Sequence, residues 1–292
     1  MEPARAYNLG FLAIWKNKRV WLFFYGLNFV LALLVAYPLR VLISGYFAHS
    51  GSLQKLVVQF DYMALVNFLR DNGSALSVLF AVFFLVGLVY WLLHYFFAGG
   101  ALGAYLLPER EKTFPEFFRM SAFYFPPMFR LFLFSLVFIL FTIVIHLLLL
   151  QGLAGLKPHI SNEILSSFLR ASVWGVTALF FLFFKMIVDY AKASVVLSNR
   201  RSALTGLVEA FRFAAKHFLA TTGLFYLIIL TGLLFFLLYL FLNRILWSDT
   251  QNAIGLIFVF QQIFVLIQTA IRLQFFAAQG HFLKMAKTEA VF

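Results

Sequence analysis

Asp189 sits inside a long apolar stretch, with Lys185 four residues before it and Lys192 three residues after. On a helix all three share one face. An ionisable residue inside a membrane span is costly unless it is paired or put to use. Arg272 stands in a second such stretch, in line with Gln261, Gln268 and Gln279. The steps between these four keep them within about 20° of one line on a helix. His94 stands in a third stretch, one turn after Tyr90. The three stretches place these groups at a similar depth, and the expectation is that they converge. Asp189 then pairs with Arg272 or a local lysine, and His94 joins the same polar layer. Two kinds of chemistry fit such a layer. One is a structural ion pair or interface anchor, from which Lys and Arg snorkel to the headgroups. The other is a path for protons or a substrate.

Two further features have chemical alternatives. His146, alone in its apolar stretch, has the residue type of an axial ligand to haem or chlorophyll, or that of a packed, hydrogen-bonded histidine. Gly99 and Gly103, beside Gly100, form a small-xxx-small step suited to close helix packing. The chain has no cysteine, which removes disulfides, thiolate metal sites and cysteine nucleophiles. It also lacks a Walker loop, a Gly-x-Ser-x-Gly elbow and a His-Glu-x-x-His helix, and no metal site is expected.

The stretches that carry these residues are spans. Of 292 residues, 63% are hydrophobic and 12% charged, against about 25% charged in a soluble domain. Water cannot solvate such a surface, whereas lipid can. The net charge of +12 does not indicate nucleic acid, because the basic residues fall between apolar runs and never cluster with stacking aromatics. Apolar runs of spanning length predict helices over 20–44, 75–107, 129–151, 167–197, 221–242 and 253–285. The connections containing Arg5, Lys16, Lys18 and Arg19, then Arg110, Lys112, Arg119 and Arg130, then Lys192, Arg200, Arg201, Arg212 and Lys216, then Lys284 and Lys287 hold most of the cations. The opposite set holds only Arg40, Lys55, Arg70, Lys157, Arg170 and Arg244. The positive-inside rule puts the richer set, and both termini, in the cytoplasm. Glu109, Glu111 and Glu116 alternate there with cations, as in a solvated loop. Trp15, Trp21, Tyr25, Tyr46, Tyr90, Trp91, Tyr95 and Trp247 fall at the expected interfaces and anchor the helices.

A short amphipathic segment precedes each odd-numbered span: 7–15, 113–123, which the Pro126-Pro127 pair is expected to end, and 202–218, whose Leu204, Leu207, Val208, Phe211 and Phe218 form one stripe. Such helices lie in the interface with the basic face outward. The predicted fold is therefore an all-α polytopic membrane protein, a single transmembrane domain over 1–292. Its unit is an interfacial helix plus a transmembrane hairpin, repeated over about 1–107, 108–198 and 199–292. The long connection 46–72 interrupts the symmetry. Its Leu53, Val57, Phe60, Ala64 and Phe68 are spaced for another surface helix, stopped at Asn72-Gly73.

Six spans, short interfacial helices, and Val188-Asp189-Tyr190-Ala191-Lys192 leading to Asn199-Arg200-Arg201-Ser202-Ala203-Leu204 resemble bacterial membrane proteins similar to the membrane domain attached to some glycerophosphodiester phosphodiesterases. That family's chemistry sits in a separate soluble barrel, so the resemblance implies a membrane module of the bacterial inner membrane with no activity carried over. The expected function is non-enzymatic: packing with partner membrane proteins, as a complex subunit, or binding lipid. Lys16, Lys18, Arg19, Arg119, Arg200, Arg201, Arg212 and Lys216 would meet anionic headgroups, and no cofactor is required. The alternatives are a small-molecule or lipid transporter using the polar layer, and an enzyme at the membrane interface.

Overall fold

The computed structural model describes residues 2–47, 62–107, 113–156, 162–199, 201–246 and 251–289. Among the described residues there are nine α-helices and no strand. They are α1 Pro3–Lys16, α2 Lys18–Phe47, α3 Tyr62–Asp71, α4 Gly73–Leu106, α5 Phe114–Leu156, α6 Glu163–Leu197, α7 Ala203–Lys216, α8 Phe218–Leu246 and α9 Gln251–Glu289. Six of them, α2, α4, α5, α6, α8 and α9, are long and apolar enough to cross a membrane. The protein is an all-α polytopic membrane protein.

One expected boundary is corrected. The Pro126-Pro127 pair does not end a helix; α5 runs through both residues. The missing N–H groups remove donors only to the carbonyls one turn back, at Ala122 and Phe123. Near a membrane surface, water or neighbouring groups can satisfy such carbonyls. The second short segment is thus continuous with its span. The surface helix expected in 46–72 is described only over α3; Leu53, Val57 and Phe60 lie outside the described residues, as does Trp247.

The chain divides into two compact units, Leu22–His94 and Met1–Trp21 with Tyr95–Phe292. In the first unit, α2 and α3 meet through aromatic rings. Phe47 and Phe68 stack with centroids 5.7 Å apart, and the Tyr46 hydroxyl donates to Asp71 at 2.8 Å. That hydrogen bond, helped by Arg70, holds the exposed Asp71 carboxyl below its usual range. The tie is therefore present above the ordinary carboxylate pKa and lost as pH falls through the lowered one.

In the second unit, burial concentrates at one end of the long helices. In α6, Ile164, Phe168 and Trp174 are exposed while every residue from Met186 to Val196 is buried. The same holds for the C-terminal parts of α4 and α9. The remaining apolar length is largely exposed among the described residues, with local contacts such as Phe138 stacked on Phe184, and lipid is the solvent that suits it. We call the buried region the packed end.

Short helices cover this end by presenting small residues. The buried face of α1 is Ala6, Gly10, Ala13 and Ile14, and that of α7 is Ala203, Gly206, Ala210 and Ala214. Large apolar residues such as Phe11, Leu204, Val208 and Phe211 instead stay exposed. Gly10 shows why small residues are needed: a Cβ there would lie 2.6 Å from the Ala278 backbone nitrogen of α9. Helix α7 docks the same way on α6, with Gly206 against Val195 and Ala191, and the start of α5 docks on the end of α4. Each short segment therefore packs on the returning helix that precedes it in the chain. Helix α1 packs instead on α9. Helices α1 and α7 also end alike. Asn17 (φ −113°, ψ 44°) and His217 (φ −117°, ψ 38°) break the helix directly after Lys16 and Lys216.

Candidate functional site

Within the packed end, α6 carries the charges. The Asp189 carboxylate accepts from Lys185 Nζ at 2.8 Å and from Lys192 Nζ at 3.0 Å, one oxygen to each lysine. The side chains of Asp189 and Lys192 are 4% and 7% exposed, that of Lys185 40%. One carboxylate cannot neutralise two ammonium groups, and aromatic rings supply the rest. Lys192 Nζ lies 4.0 Å from the ring centroid of Tyr95 on α4 and 5.2 Å from that of Phe276 on α9. Lys185 Nζ lies 4.1 Å from Phe275 on α9 and 5.3 Å from Phe225 on α8. Ring faces carry partial negative charge, and each such contact is worth about 2 kcal/mol when desolvated. The triad thus ties α6 to α4, α8 and α9 together.

The other polar-layer residues have different surroundings. Arg272 is exposed on α9, and Asp189 takes the two local lysines rather than Arg272. Gln261 and Gln268 are half-buried, with Gln268 Nε2 donating to the Gly232 carbonyl at 3.4 Å. Gln279 is completely buried, and its amide has no hydrogen-bond partner among the described residues. The four residues aligned on α9 therefore span environments from lipid-facing to core. His94 is buried in the first unit between Phe24 and Tyr90, at ring distances of 5.2 and 4.6 Å. His146 Nδ1 is hydrogen-bonded to Thr177 Oγ1 at 2.9 Å, and its ring lies 4.4 Å from that of Trp174.

The glycines on α4 receive α5. A Cβ at Gly99 would lie 2.7 Å from Tyr124 Cβ, and one at Gly103 2.7 Å from Met120 Cε. Gly100 faces Ser121 and Phe117 as closely.

This close docking leaves a hollow of about 270 Å³ beside it. Lys16, Lys18 and Arg19 line one side of the hollow, and Gly100, Gly103, Thr113, Glu116 and Met120 line the other. On that wall Glu116 is held by Arg119 through two hydrogen bonds of 2.7 and 2.9 Å. Lys16, Lys18 and Arg19 form no ion pair among the described residues. The break at Asn17, whose amide donates to the Ala13 carbonyl at 2.7 Å, turns the chain so that all three cations border one space. Of the other basic candidates, Arg201 lies over the Phe123 ring at 5.3 Å, while Arg212 and Lys216 are exposed on α7. Arg200 lies outside the described residues.

Sequence reasoning missed the groups that fasten the packed end. Asn199 adopts φ 49° and accepts from the Tyr124 hydroxyl at 3.0 Å, while Ser202 caps α7. Part of the Asn199–Leu204 wording therefore encodes a turn, a use open to Asn in the left-handed region. Ser194 donates to Glu209 at 2.6 Å, Lys287 reaches Ser198 at 2.8 Å, and Lys284 donates to the Leu106 carbonyl at 2.9 Å. No local spacing announces these long-range pairs. Compared with known proteins, the chain finds no matching family model, no matching curated protein and no matching solved structure.

Proposed function

We propose that this integral membrane protein is a non-enzymatic module whose basic end holds the phosphate of an anionic lipid. The observation that carries the reading is the hollow bordered by Lys16, Lys18 and Arg19, whose lining carboxylate among the described residues, Glu116, is bound to Arg119. Three cations around one space at the end of a span match a lipid phosphodiester at headgroup level. Thr113 adds a hydroxyl to the same wall. In this reading the packed end faces the cytoplasm, where anionic lipid attracts basic segments by about 1 kcal/mol per Lys or Arg. Partner membrane proteins would meet the exposed apolar lengths of the spans.

The test is lipid retention in mixed nanodiscs of phosphatidylglycerol and phosphatidylcholine, read by native mass spectrometry. The wild-type chain should retain phosphatidylglycerol selectively. A Lys16→Gln, Lys18→Gln, Arg19→Gln variant should weaken that preference by about 100-fold at low salt, the sum of three such contacts. Equal retention of the two lipids by the wild-type chain would overturn the proposal.

A further inference from the structure

Two of the cations around the headgroup hollow stand where helix electrostatics disfavour them. Lys18 and Arg19 occupy the first turn of α2, which holds no acidic residue. The start of a helix carries partial positive charge, so a cation there is destabilising and an anion stabilising. Lys16, by contrast, closes α1, where a cation suits the dipole. The break between the two helices does not require the unfavourable pair. After the like break at His217 the chain continues with Phe218 and Leu219, both apolar. The first break therefore carries two cations that its backbone does not need.

A second helix start borders the same space. Thr113, in the wall of the hollow, opens α5: its carbonyl accepts from the Phe117 N–H at 3.0 Å, and its hydroxyl from the Glu116 N–H at 3.4 Å. The hollow thus gathers three cations and the positive ends of two long helices. Glu116 in its wall is bonded to Arg119, and that pair adds no net charge. A lipid phosphodiester brings a single negative charge to this space and leaves part of the positive charge unbalanced. A terminal phosphomonoester brings about −1.5 to −2 at neutral pH, on three acceptor oxygens. In a diester one of those oxygens is spent on a second ester bond.

We propose that the hollow selects a terminal phosphomonoester, carried by a membrane lipid, over a phosphodiester. This inference rests on the headgroup reading above and specifies its ligand. Lys16, Lys18 and Arg19 share the terminal oxygens through charge-assisted hydrogen bonds, and the second negative charge offsets the cations at the start of α2.

The test uses the full chain in phosphatidylcholine nanodiscs holding equal amounts of phosphatidic acid, a monoester, and phosphatidylglycerol, a diester, read by native mass spectrometry. At about pH 8 the monoester should be retained about tenfold over the diester. At about pH 5 that preference should largely vanish, because the second proton is bound below about pH 6 and both lipids then carry one charge. Lys18→Gln combined with Arg19→Gln should abolish the preference at the higher pH. Arg212→Gln combined with Lys216→Gln, at exposed positions on α7, should leave it intact. Equal retention of the two anionic lipids at the higher pH, both above phosphatidylcholine, would overturn the monoester and leave the headgroup reading standing. Retention of neither above phosphatidylcholine would overturn both. An equal loss in the α7 variant would assign the preference to surface charge and overturn the hollow as its source. Displacement of the lipid by equimolar glycerol phosphate would overturn the lipid as the carrier.

Discussion

Asp189 is worth more to this protein as the partner of two lysines than as a charge of its own. Removing it leaves Lys185 and Lys192 on one face about two turns apart, with ring faces to balance them. Breaking a buried pair by deleting one partner costs about 3–5 kcal/mol, whereas replacing the whole set with apolar residues is often neutral or stabilising. Asp189→Asn should therefore lower thermal stability in detergent sharply. Lys185→Met, Asp189→Leu and Lys192→Met combined should restore most of it. If the triple variant is as unstable as the single one, the triad does more than hold helices. The spacing of the three charges was readable in the sequence because it lies within one helix. The rings were not, because Tyr95, Phe225, Phe275 and Phe276 come from three other helices. Among 41 phenylalanines, nothing local marks the two that face Lys185.

The same division holds for elements. Six spans were legible because lipid imposes a length and a composition on each helix. The faces that meet were harder to read, since in α1 and α7 large apolar residues stay exposed and small ones dock. Ordinary amphipathic reasoning points the large stripe at the protein, whereas here it is the exposed one. In membranes, close approach of backbones does much of the work of association. Gly10 is the sharpest case, because its neighbour is the Ala278 backbone, which cannot swing aside. Gly10→Leu should cost about 1–3 kcal/mol by overpacking and raise hydrogen exchange across α1. Phe11→Leu, at an exposed position on the same helix, should change stability by less than about 0.5 kcal/mol. If the two variants behave alike, α1 is not held by close packing. The Pro126-Pro127 reading failed for a related reason. A proline pair predicts a break from lost donors, but the loss is confined to two carbonyls one turn back, and α5 continues through it.

At the scale of the molecule, the headgroup proposal depends on which side of the membrane the packed end occupies. The proposal takes that side to be the cytoplasm, on the charge distribution, so that Lys16, Lys18 and Arg19 would face the leaflet where anionic lipid is enriched. The absence of cysteine makes the assignment directly testable, since every introduced thiol is the only one in the chain. Single substitutions Arg5→Cys and Lys287→Cys lie on α1 and near the end of α9, which dock together at the packed end. Arg40→Cys lies toward the opposite end of α2, and Arg170→Cys toward the opposite end of α6. A membrane-impermeant maleimide applied to intact cells should label the second pair and spare the first, with all four reacting after permeabilisation. Inverted labelling would turn the cationic hollow toward the leaflet poorer in anionic lipid and remove the electrostatic reason for the headgroup proposal. Labelling of Arg5→Cys and Lys287→Cys from opposite sides would instead contradict the even number of crossings, and with it the docking of α1 on α9.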